Sequence, residues 1–265
     1  MPNKRPMALI TGASSGIGEA LAHCFAAAGH DLVLVARSAD KLRALARQLE
    51  EKHQIRVSAM PADLAQPDGV SRLCTALQRK RRVPDVLVNC AGVLQQKAFA
   101  AMPPDAHQGI IDLNISALTA LLAQLLPAML QRGSGRILNV ASIAAFQPIP
   151  LLATYAASKA YVLSLTESLS EELRGSGVTV TALCPGITAT GMLETAAQAN
   201  AQLGRLPAFL IGKVDAVARQ GFEACMRGDV ICVPGVVNRV ATLASRSTHK
   251  WLLRRVGGLL ARRAG

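Results

Sequence analysis

Seven short apolar runs recur along the chain: MALIT (7–11), DLVLVA (31–36), RVSAM (56–60), DVLVN (85–89), RILNVAS (136–142), VTVTALC (178–184) and DVICVP (229–234). Each is rich in Val, Ile or Leu and long enough for a strand, and such continuous runs suit strands covered on both faces. Between them apolar positions recur at helical spacing: Ile17, Leu21, Cys24 and Phe25; then Leu42, Leu45 and Leu49; then Val70, Leu73 and Leu77. Strands that alternate with helices imply right-handed crossovers and a parallel sheet. The predicted fold is therefore α/β, a doubly wound parallel sheet whose ligands bind in the crevice beyond the carboxyl ends of the strands.

At 265 residues, 51% of them apolar, the chain suffices for one large α/β domain with a substantial core. The most membrane-like stretch, Ile115–Leu130, falls short of the ~18 apolar residues a span requires and is interrupted by Ser116, Thr119, Gln124 and Pro127, so a helix buried between protein layers is expected. The six cysteines form no CxxC pair and the histidines are scattered, which argues against zinc or any other metal and against a disulfide framework. MPNKRPMALITG has too short an apolar run for a secretory leader, so a cytoplasmic location is expected. The formal charge of +12 is uneven, because residues 236–265 hold seven Arg or Lys and no acid.

The first strand runs into TGASSGIG, Thr11–Gly18. Gly12, Gly16 and Gly18 permit a tight turn, close approach of a pyrophosphate and close packing of the helix start, while the helix N-terminus offers free N–H groups to the anion. Ser14, Ser15 and Ile17 complete this candidate cofactor loop. About 20 residues on, where an NAD-specific site carries an acid for the ribose hydroxyls, Ala36 is followed by Arg37 and Ser38. No carboxylate repels a 2′-phosphate there and a guanidinium is placed to fork onto one, so NADP(H) is expected in preference to NAD(H).

YAASK, residues 155–159, sets Tyr155 and Lys159 four positions apart on one helix face. A free tyrosine, with pKa ~10, is a poor acid–base catalyst near neutrality, but a neighbouring ammonium stabilises the phenolate and is expected to lower that value. Ser142, at the end of RILNVAS, is placed to hold a carbonyl or alcohol oxygen beside the tyrosine, and Asn114 in IDLNIS starts or interrupts a long helix.

TGASSGIG, Asp63-Leu64, NCAG (89–92), Asn114, Ser142, YAASK and Pro185-Gly186 occur in that order, and together they resemble the short-chain dehydrogenase/reductase family over about residues 6–235. The resemblance implies a seven-stranded Rossmann-like domain that binds NAD(P)(H) and transfers hydride to or from a carbonyl carbon. It makes Tyr155 the general acid in reduction and Ser142 the group that polarises the carbonyl. Lys159 would hold the nicotinamide ribose and lower the tyrosine pKa, and Asn114 would bind a water in the proton relay. It assigns Asp63 to the adenine amine beside Leu64, Asn89, Ala91 and Gly92 to the cofactor's middle, and Pro185, Gly186 and Thr188 to closure over the carboxamide. Arg37 matches the NADP-preferring members. Cys90 departs from the family's commoner second asparagine. The family's variable lid would here run over about 187–212, and its members form homodimers or homotetramers, for which the apolar helices around Ile115–Leu130 and Ala153–Leu173 are available.

The lid contains Met192, Leu193, Leu203, Leu206, Phe209 and Leu210 and few charges, so an apolar ketone or aldehyde is expected as substrate rather than a phosphorylated compound or a sugar. The domain is taken as residues 1–235 and the remainder, 236–265, as a basic amphipathic C-terminal extension, with Leu252, Val256, Leu259 and Leu260 at helical spacing. Packing of this tail on the body or another subunit is preferred to peripheral contact with an anionic membrane, and nucleic-acid binding is not expected, since no reader motif accompanies the charge. The leading function is an NADPH-dependent carbonyl reductase acting on a lipophilic small molecule, or the reverse alcohol oxidation. The alternative is a non-catalytic NADP(H) sensor or membrane-associated scaffold, and the intact Asn114, Ser142, Tyr155 and Lys159 set favours the enzyme.

Overall fold

A computed structural model describes residues 5–79, 82–189 and 211–247. Most of the expected lid (190–210) and the end of the basic tail (248–265) therefore lie outside the described residues. The elements alternate as the apolar pattern predicts: β1 Met7–Thr11, α1 Gly16–Ala27, β2 Asp31–Ala36, α2 Ala39–His53, β3 Val57–Pro61, α3 Gly69–Arg79 and β4 Val86–Asn89, then α4 Pro104–Ile111, a π-helical turn Asp112–Ala117 and α5 Leu118–Arg132. The second half adds β5 Gly135–Val140, a 3-10 turn Ile143–Phe146, α6 Ala153–Glu172, β6 Val178–Leu183, α7 Val214–Arg227, β7 Ile231–Cys232 and α8 Val236–Ser247.

The seven strands form one parallel sheet in the order β3-β2-β1-β4-β5-β6-β7. Central β1 is buried along its whole length and pairs Leu9 with Val33 on one side and Leu87 on the other. The chain reverses direction across the sheet between β1 and β4, and the crevice outside their carboxyl ends is where such folds bind ligands. The edge strand β7 is shorter than its run suggests. Of DVICVP only Ile231–Cys232 pairs, an economy typical of sheet edges.

Two apolar layers cover the sheet. On one face Phe25, Leu21, Leu42 and Leu49 from α1 and α2, with Val217 and Ala218 from α7, pack on Ile10, Leu32 and Leu34. On the other, α3, α5 and α6 bring Leu73, Leu77, Leu121, Leu125, Met129 and Val162 onto Leu9, Val33 and Ile137. The helical segment Pro104–Arg132 is long and apolar enough to cross a membrane by length and composition. Its apolar stripe is nevertheless the one packed on the sheet, as expected for Ile115–Leu130.

Candidate active site

The turn from β1 into α1 closes against the end of β4. Gly12 has φ +68°, and a Cβ there would lie 2.9 Å from the Ala91 backbone. At Gly18 a Cβ would lie 2.2 Å from the Gly12 carbonyl oxygen, so only glycine lets the helix start approach the turn. Thr11 fixes the other wall: its hydroxyl donates to the Val88 carbonyl (3.2 Å) and accepts from the Cys90 and Ala91 N–H groups (3.0 Å each). Ser15 caps α1 without a side-chain hydrogen bond, leaving the first-turn N–H groups directed at the crevice.

A cavity of about 640 Å³ runs from this turn to Tyr155. Gly12, Ser14, Ser15, Gly16, Ile17 and Gly18 line one end with Arg37, Ser38, Asp63 and Leu64. Ala91, Gly92 and Lys159 line its middle, and Ser142, Tyr155, Pro185, Gly186 and Thr188 the other end. Arg37 is exposed and has no hydrogen-bond or ion-pair partner among the described residues. Asp63 lines the cavity while its carboxylate accepts from Ala65 N–H (3.1 Å), so it also fixes a turn.

Asn89 and Asn114, expected to face ligand and water, brace the walls instead, and neither lines the cavity. Asn89, 3% exposed, donates to Asn139 (2.9 Å), which donates to Thr166 (3.0 Å), tying β4 through β5 to α6. Its inward direction follows from its place as the last residue of a strand covered on both faces. Asn114 occupies the π-helical turn; its Oδ1 accepts from Val93 N–H (2.9 Å), and its Nδ2 donates to Val93 O and to Ser158 Oγ (both 3.0 Å). Ser158 in turn donates to the Tyr155 carbonyl (2.7 Å), so this side chain is consumed in joining the β4 loop to the tyrosine's helix.

Ser142 lies two residues beyond β5 rather than within it, and caps the 3-10 turn by accepting from Ala144 N–H (3.1 Å). The Ser142 side chain pulls the tyrosine pKa down, but burial dominates and pushes it up. The net shift is thus upward rather than downward as expected, with the Lys159 ammonium turned to the Val140 carbonyl (2.9 Å) and 5.7 Å from the Tyr155 ring centre. Burial moves Lys159 itself down to about 8. Cys90, beside Lys159, is pushed up to about 12 by burial and stays a thiol near neutrality.

Sequence reasoning missed the wall beyond Tyr155. Leu94 and Ile149 pack against Ala144, Tyr155 and Ala156, and Gln96, Gln147 and Leu152 also line the cavity. The signal was FQPIPLLAT, an apolar loop with two prolines directly before YAASK. Asn238 was missed as well. It stands so close behind Gly186 that a Cβ there would lie 2.4 Å from its Nδ2. Of the expected lid, Thr188 is described: it bridges Gly212 and donates to the Gly186 carbonyl (3.0 Å).

A family model described as short chain dehydrogenase matches residues 6–201. An uncharacterized oxidoreductase of Staphylococcus saprophyticus is 35% identical over 69% of this chain and 79% of its own. A short-chain dehydrogenase from Sphingobium yanoikuyae, solved in complex with NADPH, is 35% identical with a TM-score of 0.81 over 90% of this chain and 92% of its own. A bulky-bulky ketone specific alcohol dehydrogenase from Comamonas testosteroni is 30% identical with a TM-score of 0.78 over 98% and 95%.

Proposed function

The chain belongs to the short-chain dehydrogenase family and is an oxidoreductase of that family, and from this we propose that it is an NADPH-dependent reductase of lipophilic ketones or aldehydes, also able to run the reverse oxidation. The observation that carries the proposal is the placing of Ser142 and Tyr155 at one end of a cavity, with Lys159 next to them, while its other end is a glycine cradle beside Arg37, which has no partner among the described residues.

The residues present fit a dinucleotide phosphate. The Gly12–Gly18 cradle and the free first turn of α1 would hold the pyrophosphate, Arg37 the 2′-phosphate, and Asp63 the adenine. Lys159 and Thr188 would hold the nicotinamide end. When bound, the cofactor supplies the hydride. The chain's own residues orient the substrate and move the proton. Tyr155, kept protonated by burial, donates its phenolic proton to the substrate oxygen, while the Ser142 hydroxyl holds that oxygen and the phenol in one hydrogen-bonded group. At pH 7 Lys159 is mostly charged, and its ammonium would stabilise the phenolate left after donation. Asn114 acts by holding the Val93 loop and Ser158, and through them the Tyr155 backbone.

The NADPH complex of the Sphingobium relative and the ketone named for the Comamonas relative support the cofactor and substrate class. Exposed Leu130 on α5 and Tyr161 on α6 support pairing of these helices in a homo-oligomer, to be tested by light scattering. The exposed Val236, Val237 and Val240 on α8 support a contact surface where the basic tail begins, on another subunit or a membrane; vesicle sedimentation separates the two. The central test is NADPH oxidation with aromatic, aliphatic and long-chain carbonyls. Tyr155→Phe is expected to lose at least 10²-fold in kcat while NADPH binding is retained. Equal turnover in the variant would refute the assigned acid.

A further inference from the structure

Two glutamines interrupt the otherwise apolar wall beyond Tyr155, and their placement is paired. Gln96 follows two residues after Leu94, and Gln147 precedes Ile149 by two; Leu94 and Ile149 are the residues packed against Tyr155 and Ala144. The two segments are fastened together by the Lys97 N–H donating to the Leu151 carbonyl (2.9 Å), so the glutamines belong to one joined rim of the cavity. The second segment is held in shape by a turn in which Leu152 N–H donates to the Ile149 carbonyl (3.2 Å) and Leu151 takes φ +66°. Gln147 lies in extended backbone at the end of the 3-10 turn that Ser142 opens, so the turn sets its distance from the reacting oxygen.

Neither glutamine side chain has a hydrogen-bond partner among the described residues, although both line the cavity. The charges that line it lie elsewhere: Arg37 and Asp63 at the nucleotide end, and Lys159 below Tyr155. The described wall beyond the tyrosine thus offers apolar surface and two neutral amides. A neutral amide both donates and accepts, which suits a hydroxyl or carbonyl, whereas a carboxylate or phosphate would meet no opposing charge among the described residues of this wall.

We propose that Gln96 and Gln147 are specificity-determining residues, and that the substrate is a lipophilic ketone with an uncharged hydrogen-bonding group at the end remote from the reacting carbonyl. This rests on the carbonyl-reductase reading, and it narrows that reading from lipophilic ketones in general to those with a second oxygen. An apolar body alone gains affinity by area, but a polar group that finds the amides adds a hydrogen bond and fixes which end of the molecule meets Tyr155.

The test uses benzylacetone and its para-hydroxy counterpart, which share carbonyl and body and differ in one distal hydroxyl. Their dissociation constants are measured by calorimetry on the enzyme loaded with NADP⁺, which cannot reduce them, and turnover is followed separately with NADPH. The wild type is expected to bind the hydroxylated ketone about five- to tenfold more tightly. In the Gln96→Leu/Gln147→Leu variant that ratio is expected to fall to near one, with the loss appearing in KM rather than kcat. A ratio measured within one protein is insensitive to general damage by the substitutions. A wild-type ratio near one, a ratio unchanged in the variant, or no binding of either ketone would overturn the proposal. A ratio that collapses as expected, without turnover of either ketone by NADPH, would refute the reductase reading alone.

Discussion

Replacing Lys159 by Met isolates the energetic cost of the buried ammonium. Lys159 is 6% exposed, and burial takes its pKa from 10.5 to about 8, a fall worth roughly 3 kcal/mol against the charged form. Below pH 8 the folded protein bears that cost; between about 8 and 10.5 the folded lysine is neutral while the unfolded chain still binds its proton. The unfolded state then holds more protons, so wild-type stability rises with pH across this window. Methionine is long, unbranched and apolar, and removes the titration without leaving a large void. At pH 7 the variant gains the roughly 3 kcal/mol but leaves the Val140 carbonyl without its donor, at a cost of about 1–3 kcal/mol. The expected net change is therefore between about zero and 2 kcal/mol of stabilisation, together with loss of turnover. Urea unfolding followed by circular dichroism at pH 7, 8, 9 and 10 measures both proteins. Tyr155 and the buried cysteines, whose raised pKa values act in the opposite sense at high pH, are present in both, so the difference between the two curves reports Lys159. Its decline as pH rises is the expected result; a difference that is constant from pH 7 to 10 would refute the reasoning.

Gly18→Ala forces a Cβ to within 2.2 Å of the Gly12 carbonyl, so turn and helix must separate; melting should fall by about 3–8 °C and NADPH affinity by at least tenfold, read by thermal unfolding and fluorescence titration. Arg37→Ala should weaken NADPH binding by about 10- to 100-fold and leave NADH binding nearly unchanged, an outcome calorimetry with both cofactors checks directly. His30, 6% exposed and with no partner for its Nδ1 among the described residues, has its pKa lowered by burial, so the unfolded chain takes up a proton near pH 6.5 before the folded one does. The stability tied to His30 should therefore be complete above pH 6.5 and decline as pH falls below it, and a His30→Leu variant should show a shallower decline in melts between pH 7 and 5.

The strands and the glycine-turn half of the cavity were legible because each rests on local chemistry: continuous apolar runs, glycines at a turn, and a tyrosine and lysine one helical turn apart. Asn89 and Asn114 were legible as residues but not in direction, since the partners that turn them aside, Asn139 and Ser158, are 50 and 44 residues away. The shift of Tyr155 was misjudged for a related reason. Spacing placed the lysine near the ring, but only the packed interior shows that desolvation outweighs the neighbouring charge and that Val140 claims the ammonium. The glutamine-bearing wall was illegible because loops carry no period.

The bond from Lys97 to Leu151 joins the outer part of the β4 loop, beyond its Thr11-braced start, to the loop that precedes α6. One end of the cavity is thus written into the sheet, where almost any change disturbs the fold, and the other into surface segments that tolerate variation. Residues 93–97 and 147–152 are accordingly the place to randomise when new substrates are sought. A library confined to those eleven positions would sample binding preferences while leaving the glycine turn, Ser142, Tyr155 and Lys159 as they are.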